Sequence, residues 1–237
     1  MAGAPSAECG DPHSVGHERG FKAHLQWCVG CGGRASDLLC PPCFESLPWA
    51  GSPACERCGL PTAFETPVCC VCKNVDFAFE TARTPLRYEG VGKEIVHALK
   101  YRAYTAVVER LAAPLLAEAV GGERFDAVVP VPLHRARLRR RGFNQAALLA
   151  RGLAGRINSP VSDTLQVVRS TRDQVELSAA ERRRNVAGAF SAAARTRGRL
   201  LLVEDVFTTG ATTSACAAAL LDAGAAEVHA VTLCRTC

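Results

Sequence analysis

From residue 80 onward, short apolar runs alternate with longer stretches that have the periodicity of amphipathic helices. The apolar runs predict strands over residues 83–89, 126–132, 164–169, 199–205 and 227–234. Helices are predicted over residues 144–157, 212–224 and 92–120, the last either continuous or broken near Tyr101 or Pro114. Because strands that alternate with helices form mainly parallel sheets with helices on both faces, residues 80–237 are predicted to be an α/β domain.

Residues 26–75 lack this alternation and carry four C-x-x-C pairs instead. A C-x-x-C turn directs two thiolates at one ion, and zinc binds four ligands in a tetrahedron. The pairs supply enough ligands for two sites of four cysteines each, namely Cys28, Cys31, Cys40, Cys43, Cys55, Cys58, Cys69 and Cys72. We therefore predict a double zinc ribbon with two structural Zn²⁺ ions, whose binding supplies folding free energy that so small a segment lacks. Sequential pairing (28/31 with 40/43, 55/58 with 69/72) is preferred, and crossed pairing stays open.

Composition indicates the class of protein and the cellular compartment to which these two parts belong. The 237-residue chain is 48% hydrophobic and 22% charged, as in soluble globular proteins. No stretch approaches the roughly 20 apolar residues of a membrane span, and residues 1–25 lack the apolar core of a secretory signal. We expect a disordered tail over 1–25 and a cytoplasmic protein without membrane insertion. A reducing compartment favours metal ligation over disulfides for its cysteines.

Positive charge is concentrated between Arg135 and Arg156, where seven arginines and no acidic residue occur. Such a patch favours contact with nucleic acid. The cysteine pairs, however, lack the interleaved aromatic residues expected of a base-stacking platform. Three interpretations of these regions therefore stay open: binding of single-stranded DNA, contact with a protein partner, and support of the fold.

The stretch LLVEDVFTTGATT, residues 201–213, places two acids and then a hydroxyl-rich turn after an apolar run. Glu204 and Asp205 are expected at the carboxyl end of strand 199–205, where ligands of open α/β sheets bind. Carboxylates accept hydrogen bonds from sugar hydroxyls, and a turn that opens a helix offers N–H groups and a positive dipole end to phosphate. The pattern predicts a site for a sugar 5′-phosphate with vicinal hydroxyls. Its phosphate-binding residues are predicted to be Thr208, Thr209, Gly210, Ala211 and Thr212.

This stretch resembles the phosphoribosyl-pyrophosphate (PRPP) motif of type I phosphoribosyltransferases, with Glu204 where relatives often have aspartate. Further motifs make residues 26–235 similar to the ComF family, which is associated with bacterial competence. They are LPW, YEG, LKYR, VPVPLH, RGFNQ and a spaced pattern from Thr171 to Phe190 that includes Gln174, Arg182 and Asn185. The chain departs from this pattern at Glu176, where a small residue or glycine is expected.

The resemblance implies a mainly parallel sheet of the type I phosphoribosyltransferase kind and transfer of 5-phosphoribosyl from PRPP to an unknown acceptor. Pyrophosphate is the leaving group, and Mg²⁺ accompanies PRPP. The predicted catalytic residues are Glu204, Asp205, Lys100 and Arg141, with His134 a weaker candidate for a pyrophosphate contact. His97 and His229 fall in apolar patterns that are typical of core positions.

The resemblance also bears on partners and motion. It implies single-stranded DNA or DNA-uptake proteins as partners, and a dimer is plausible. The long polar connection 169–190 is expected to close over bound PRPP. The alternative is a non-catalytic PRPP-fold module that binds single-stranded DNA or a competence partner.

Overall fold

The computed structural model describes residues 26–101, 105–169 and 179–237. The predicted tail over 1–25 lies outside the described residues, as do Thr171, Gln174 and Glu176 and with them much of the predicted closing segment. The strands in chain order are β1 (Gln26–Trp27), β2 (Arg34–Ala35), β3 (Ala82–Arg83), β4 (Leu86–Arg87), β5 (Ala127–Pro130), β6 (Leu165–Val167), β7 (Phe190–Ala192), β8 (Arg199–Phe207) and β9 (Glu227–Arg235).

The helices complete the order of elements. They are α1 (Pro41–Glu45), α2 (Cys70–Asn74), α3 (Gly90–Tyr101), α4 (Thr105–Val107), a π-helical turn (Val108–Ala112), α5 (Ala113–Val120), α6 (Arg135–Arg141), α7 (Gln145–Ile157), α8 (Ala179–Val186) and α9 (Ala211–Asp222). Among the described residues, no helix is both long enough and apolar enough to cross a membrane.

A parallel sheet lies at the centre of the protein, in the order β3–β9–β8–β5, with β4 also paired to β9. Side chains alternate along β8, so that Leu201 and Val203 face one hydrophobic core and Leu200 and Leu202 face the other. Helix α7 packs into the first core through Leu149, and α9 packs into the second. The predicted α/β class, with helices on both faces of a parallel sheet, is confirmed.

Two predicted strands differ from the structure in continuity or in the sheet that they join. Strand 83–89 is divided into β3 and β4, because Pro85 between them has no N–H to donate to the ladder. Strand 164–169 does not join the main sheet, and its central part, β6, pairs antiparallel with β7 as a separate two-stranded sheet.

The helical predictions also need correction. Pro114 does not break its helix; it follows the point where the π-helical turn Val108–Ala112 continues directly into α5. Residues 102–104, beside the alternative break at Tyr101, lie outside the described part. Helix α6 was not predicted, because it buries none of its residues and so has no apolar periodicity. His134 begins α6 by accepting a hydrogen bond from the Ala136 N–H at Nδ1.

The cysteine-rich segment packs against both cores. Cys28 and Cys43 lie in the core with Ile95 of α3, whereas Cys55 and Cys72 lie in the core on the opposite face of the sheet. Residues 26–75 therefore contact both layers of the α/β part.

Candidate functional site

The structure brings the eight predicted metal ligands into two groups of four. The first group is Cys28, Cys31, Cys40 and Cys43, and the second is Cys55, Cys58, Cys69 and Cys72, which is the sequential pairing. Their sulfurs are 3.8 Å apart between Cys31 and Cys40 and 3.7 Å apart between Cys58 and Cys69. Four sulfurs at about 2.3 Å from a tetrahedral zinc lie about 3.8 Å from one another. Each group could therefore bind one zinc ion.

One backbone motif builds both groups. Cys28 donates its N–H to Gly33 at 2.7 Å, and its Sγ accepts the Cys40 N–H at 3.3 Å. Cys55 repeats both contacts, donating to Leu60 at 2.8 Å while its Sγ accepts the Cys69 N–H at 3.3 Å. Amide groups that point at sulfur stabilise thiolates, so the motif suits a bound cation.

Without a cation, the thiols of one group do not all ionise together: despite burial, backbone hydrogen bonds lower the pKa of Cys28 and of Cys55. Burial raises the pKa of Cys43 and of Cys72, and the neighbouring cysteines raise it further. A metal ion offsets these increases because each thiolate then has a positive partner. The two groups differ in access, since Cys31 is exposed whereas all four cysteines of the second group are buried.

The acid pair lies inside strand β8, which corrects the prediction that the strand ends at Asp205. Pairing with β9 continues to Phe207, opposite Arg235. The neighbour on the other side, β5, ends at Pro130 opposite Val203. Glu204 and Asp205 therefore follow the point where β5 stops, and a cleft opens beside them.

Glu204 is held in a densely packed environment. Thr213, in the first turn of α9, donates its hydroxyl to Glu204 Oε2 at 2.8 Å. Burial raises the pKa of Glu204 to about 8, and the adjacent Asp205 charge contributes to the increase. Glu204 therefore holds its proton more tightly than an exposed glutamate does. The sequence interpretation assigned no role to Thr213, although it is the last residue of the hydroxyl-rich stretch 201–213.

Asp205 joins two groups from other elements. Lys100, near the end of α3, places Nζ 2.8 Å from Asp205 Oδ2. Burial alone would lower the pKa of Lys100, but the Asp205 carboxylate outweighs it and raises that pKa. Gln145 donates from Nε2 to Asp205 Oδ2 at 3.4 Å and accepts a hydrogen bond from Arg141 through Oε1. Gln145, which lies within the RGFNQ motif, is a further site residue that sequence reasoning did not assign.

Two adjoining cavities meet at this cluster. The turn cavity, of about 390 Å³, is lined by Tyr88, Lys100, Arg182, Glu204, Asp205, Val206, Thr208, Gly210, Ala211, Thr212 and Thr213. The arginine cavity, of about 340 Å³, is lined in part by His134, Arg137, Arg140 and Arg141. Lys100, Glu204, Asp205 and Thr212 border both. The sequence assigned no chemistry to Tyr88 or Arg182, which reach the turn cavity from the end of β4 and from α8.

All but one of the predicted phosphate-binding residues line the turn cavity. Thr209 is absent from the lining, and its Oγ1 is buried with no hydrogen-bond partner among the described residues. Gly210 begins α9 in the left-handed conformation, with φ at 71°. A Cβ at this position would lie 2.6 Å from the ring of Phe207 and 2.8 Å from the ring of Phe77. The turn therefore requires glycine for conformation and for space.

We expect Gly210→Ala to destabilise the protein more than Gly121→Ala does. Both glycines have positive φ, but a Cβ on Gly121 meets nothing within 4 Å. Gly121→Ala should cost about 1 kcal/mol, from conformation alone. Gly210→Ala should cost roughly 2 to 4 kcal/mol, because the aromatic rings must also move. Urea denaturation of both variants measures the difference, and equal losses would contradict the packing described for the turn.

The structure also shows the surroundings of the two histidines that fall in apolar patterns. His229 is buried and hydrogen-bonds Thr81 through Nδ1, which agrees with a core position, and His97 packs against Tyr101. The cysteine pairs were expected to lack the interleaved aromatic residues of a base-stacking platform, but the cysteine-rich segment does present exposed aromatic side chains. Four of its aromatic side chains are exposed: Trp27, Phe44, Trp49 and Phe64.

Together, the fold and the site define a mixed α/β protein with a parallel sheet, preceded by a cysteine-rich segment compatible with zinc ribbons. The chain is 36% identical to the DNA utilization protein YhgH of Salmonella typhimurium over 77% of this chain and 84% of that protein. It is 28% identical to competence protein F of Haemophilus influenzae, over 88% of this chain and 96% of that protein. The chain belongs to the ComF family.

Comparisons with more distant proteins do not change this family assignment. Competence protein ComFC of Bacillus subtilis is 26% identical over 86% of each chain. No protein-family model matches the chain. Among solved structures, the chain is similar to the glutamine PRPP amidotransferase from B. subtilis complexed with ADP and GMP. The identity is 21% and the TM-score 0.39, over 58% of this chain and 30% of that chain, and so weak a likeness carries no argument about activity.

Proposed function

We propose that the protein binds PRPP and transfers its 5-phosphoribosyl group to an acceptor, with release of pyrophosphate. The observation that carries the proposal is the junction of the two cavities at Lys100 and Asp205. One cavity offers a glycine-containing turn at the start of α9, and the other offers arginines. PRPP has a phosphate at one end, a sugar diol in the middle and a pyrophosphate at the other end, and this order matches the site.

Each part of the ligand has chemically suitable residues. The 5′-phosphate would accept hydrogen bonds from backbone N–H groups at the start of α9, where the end of the helix dipole is positive. The ribose hydroxyls would donate to Glu204 and Asp205, since carboxylates form strong hydrogen bonds with such donors. The pyrophosphate would extend toward Lys100 and Arg141. In this placement, Glu204, Asp205, Lys100 and Arg141 contact the ligand as the sequence predicts. Gln145 adds hydrogen bonds that connect Arg141 to Asp205.

The proposed reaction breaks the bond between C1′ and the pyrophosphate oxygen, and its electron pair leaves with pyrophosphate. Positive charge develops on the sugar ring, and an acceptor atom with a lone pair then forms the new bond to C1′. Cations beside the leaving group stabilise the transition state because they offset the negative charge that develops there. Lys100 and Arg141 would supply these cations, and the Asp205 carboxylate beside the sugar would favour the developing positive ring.

Magnesium enters the proposal as a companion of PRPP. The Asp205 carboxylate already has the Lys100 ammonium 2.8 Å away as its cation. The acid pair is therefore poorly suited to a second cation, and we expect Mg²⁺ to arrive on the pyrophosphate. When bound there, it would neutralise part of the charge of the leaving group.

The biological setting is proposed from relatives. Proteins similar to this chain are named for competence and for DNA utilization. We propose that the activity serves DNA uptake or use, in the cytoplasm, where a reducing environment would keep the eight thiols available for zinc.

Pyrophosphate release tests turnover. With PRPP and Mg²⁺, we expect release that depends on one member of a panel of nucleobases and amines, because transfer requires an acceptor. Coupled phosphate detection after pyrophosphatase treatment measures it. PRPP binding without release across the whole panel would instead favour the non-catalytic module.

Binding of single-stranded DNA is the second candidate function. It is favoured by the exposed aromatic side chains of the cysteine-rich segment together with the unburied arginines of α6, since stacking and phosphate contacts combine in such surfaces. An oligothymidine should quench the fluorescence of Trp27 and Trp49 and bind more weakly as salt rises. Unchanged fluorescence and no gel shift at low salt would remove this candidate.

A further inference from the structure

The Asp205 carboxylate, which is proposed to accept hydrogen bonds from the ribose, already forms an ion pair. Lys100 Nζ lies 2.8 Å from Oδ2, and only 9% of the Asp205 side chain is exposed. Gln145 donates to the same oxygen at 3.4 Å from the other side. Little of this carboxylate therefore remains accessible to a sugar hydroxyl while Lys100 stays in place.

A neutral hydroxyl is a poor competitor for that position. Lys100 and Asp205 share a charge-assisted hydrogen bond, which is roughly twice as strong as a neutral one. A sugar phosphate that lacks pyrophosphate brings only hydroxyl donors to Asp205. Its binding must therefore include the free-energy cost of separating Lys100 from Asp205.

The pyrophosphate end of PRPP can offset that cost. Lys100 borders both the turn cavity and the arginine cavity. Its four-carbon stem is flexible, so a small swing would carry Nζ from Asp205 toward a pyrophosphate beside Arg141. Asp205 would keep its hydrogen bond from Gln145 during the change.

We propose that Lys100 exchanges Asp205 for the pyrophosphate of PRPP and thereby makes the Asp205 carboxylate accessible to the ribose. The inference rests on the proposed function and deepens it, because it makes recognition of the sugar depend on the leaving group. The protein then discriminates PRPP from ribose 5-phosphate by more than the direct contacts of the pyrophosphate.

One substitution tests the exchange, because it should move two affinities in opposite directions. Lys100→Met removes the competitor from Asp205 and also removes a pyrophosphate contact. We expect ribose 5-phosphate to bind about fivefold to tenfold more tightly than to the wild type, and PRPP to bind about tenfold more weakly, within the usual range of coupling between sites. Calorimetric titration of both ligands measures this.

Three further variants serve as controls for this experiment. Lys93→Met removes the same charge from an exposed position of α3 and should change neither affinity. Lys100→Gln repeats the test with a polar neutral side chain if Lys100→Met fails to fold, as its melting curve will show. Lys100→Arg, which keeps the cation, should retain both wild-type affinities.

The outcomes separate the exchange from the proposed function. If both ligands bind the Lys100 variants more weakly, or if ribose 5-phosphate is unaffected, Lys100 is a simple anion contact and the exchange is wrong. If the wild type binds no PRPP, the proposed function fails and the exchange fails with it.

Discussion

Replacing both acids, as Glu204→Ala with Asp205→Ala, should abolish detectable PRPP binding. The two carboxyl groups are the proposed acceptors for the ribose hydroxyls, and a hydrogen bond to a charged group contributes about 1.5 to 3 kcal/mol. Losing two such bonds weakens binding by a factor of about 100 or more. Titration calorimetry with PRPP and Mg²⁺ measures the loss, and pyrophosphate release should fall with it.

The matched control removes two acids elsewhere. Glu118→Ala with Asp222→Ala changes the net charge by the same amount at exposed positions of α5 and α9. This control should bind PRPP as the wild type does. If the acid-pair variant folds and binds PRPP within about threefold of the control, a difference under about 1 kcal/mol, the ribose is not held by Glu204 and Asp205.

Cys55→Ser with Cys58→Ser should remove one metal ion and unfold the cysteine-rich segment. The second group is fully buried and lies in one core with Phe77 and Phe79. Structural zinc contributes about 10 kcal/mol or more in small domains, which is comparable with the whole stability of a typical domain. We expect a large drop in melting temperature and exposure of the core beneath the second group.

Cys70→Ser is the control for this experiment. Cys70 is exposed and lies between two proposed ligands without belonging to either group. Metal analysis of freshly purified, reduced protein should find two zinc ions in the wild type and in Cys70→Ser, and one in the double variant. Well under two ions in the wild type, or an unchanged melting temperature in the double variant, would contradict the assignment of the two groups as structural zinc sites.

Local sequence patterns were sufficient for the parts of the site that are continuous in the chain. The acids and the turn that follows them are separated by only two residues, so strand and helix periodicity placed them together. The cysteine pairs were equally clear, because C-x-x-C spacing reflects the reach of two thiolates to one ion. The sequential grouping of these pairs was preferred from the sequence, and the structure distinguishes it from crossed pairing.

Contacts between distant elements could not be read from the chain in the same way. Lys100 reaches Asp205 only because α3 and β8 pack on a shared core, and the expectation for Lys100 came from family resemblance. Gln145 and Thr213 complete the site through hydrogen bonds whose partners lie far away or on another element. Periodicity reports which face of an element is buried, but not which side chain of another element meets it.

Two errors have identifiable physical causes. Strand β8 was predicted to end at Asp205 because charged residues usually end a buried run, yet pairing with β9 continues to Phe207. Helix α6 was missed because its arginines carry no apolar pattern, and it is defined by the His134 cap and by Gly142 at its C-terminus. Caps are local signals, and in an arginine-rich run they were the only ones available.

A crystal structure of the protein with bound PRPP is the decisive test of the proposed site. We predict the 5′-phosphate at the turn formed by Thr208–Thr212, the ribose hydroxyls on Glu204 and Asp205, and the pyrophosphate toward Arg141 with Lys100 moved onto it. A ligand in the reverse orientation, with its 5′-phosphate among the arginines, or a ligand bound outside both cavities, would contradict the proposed function of this cleft.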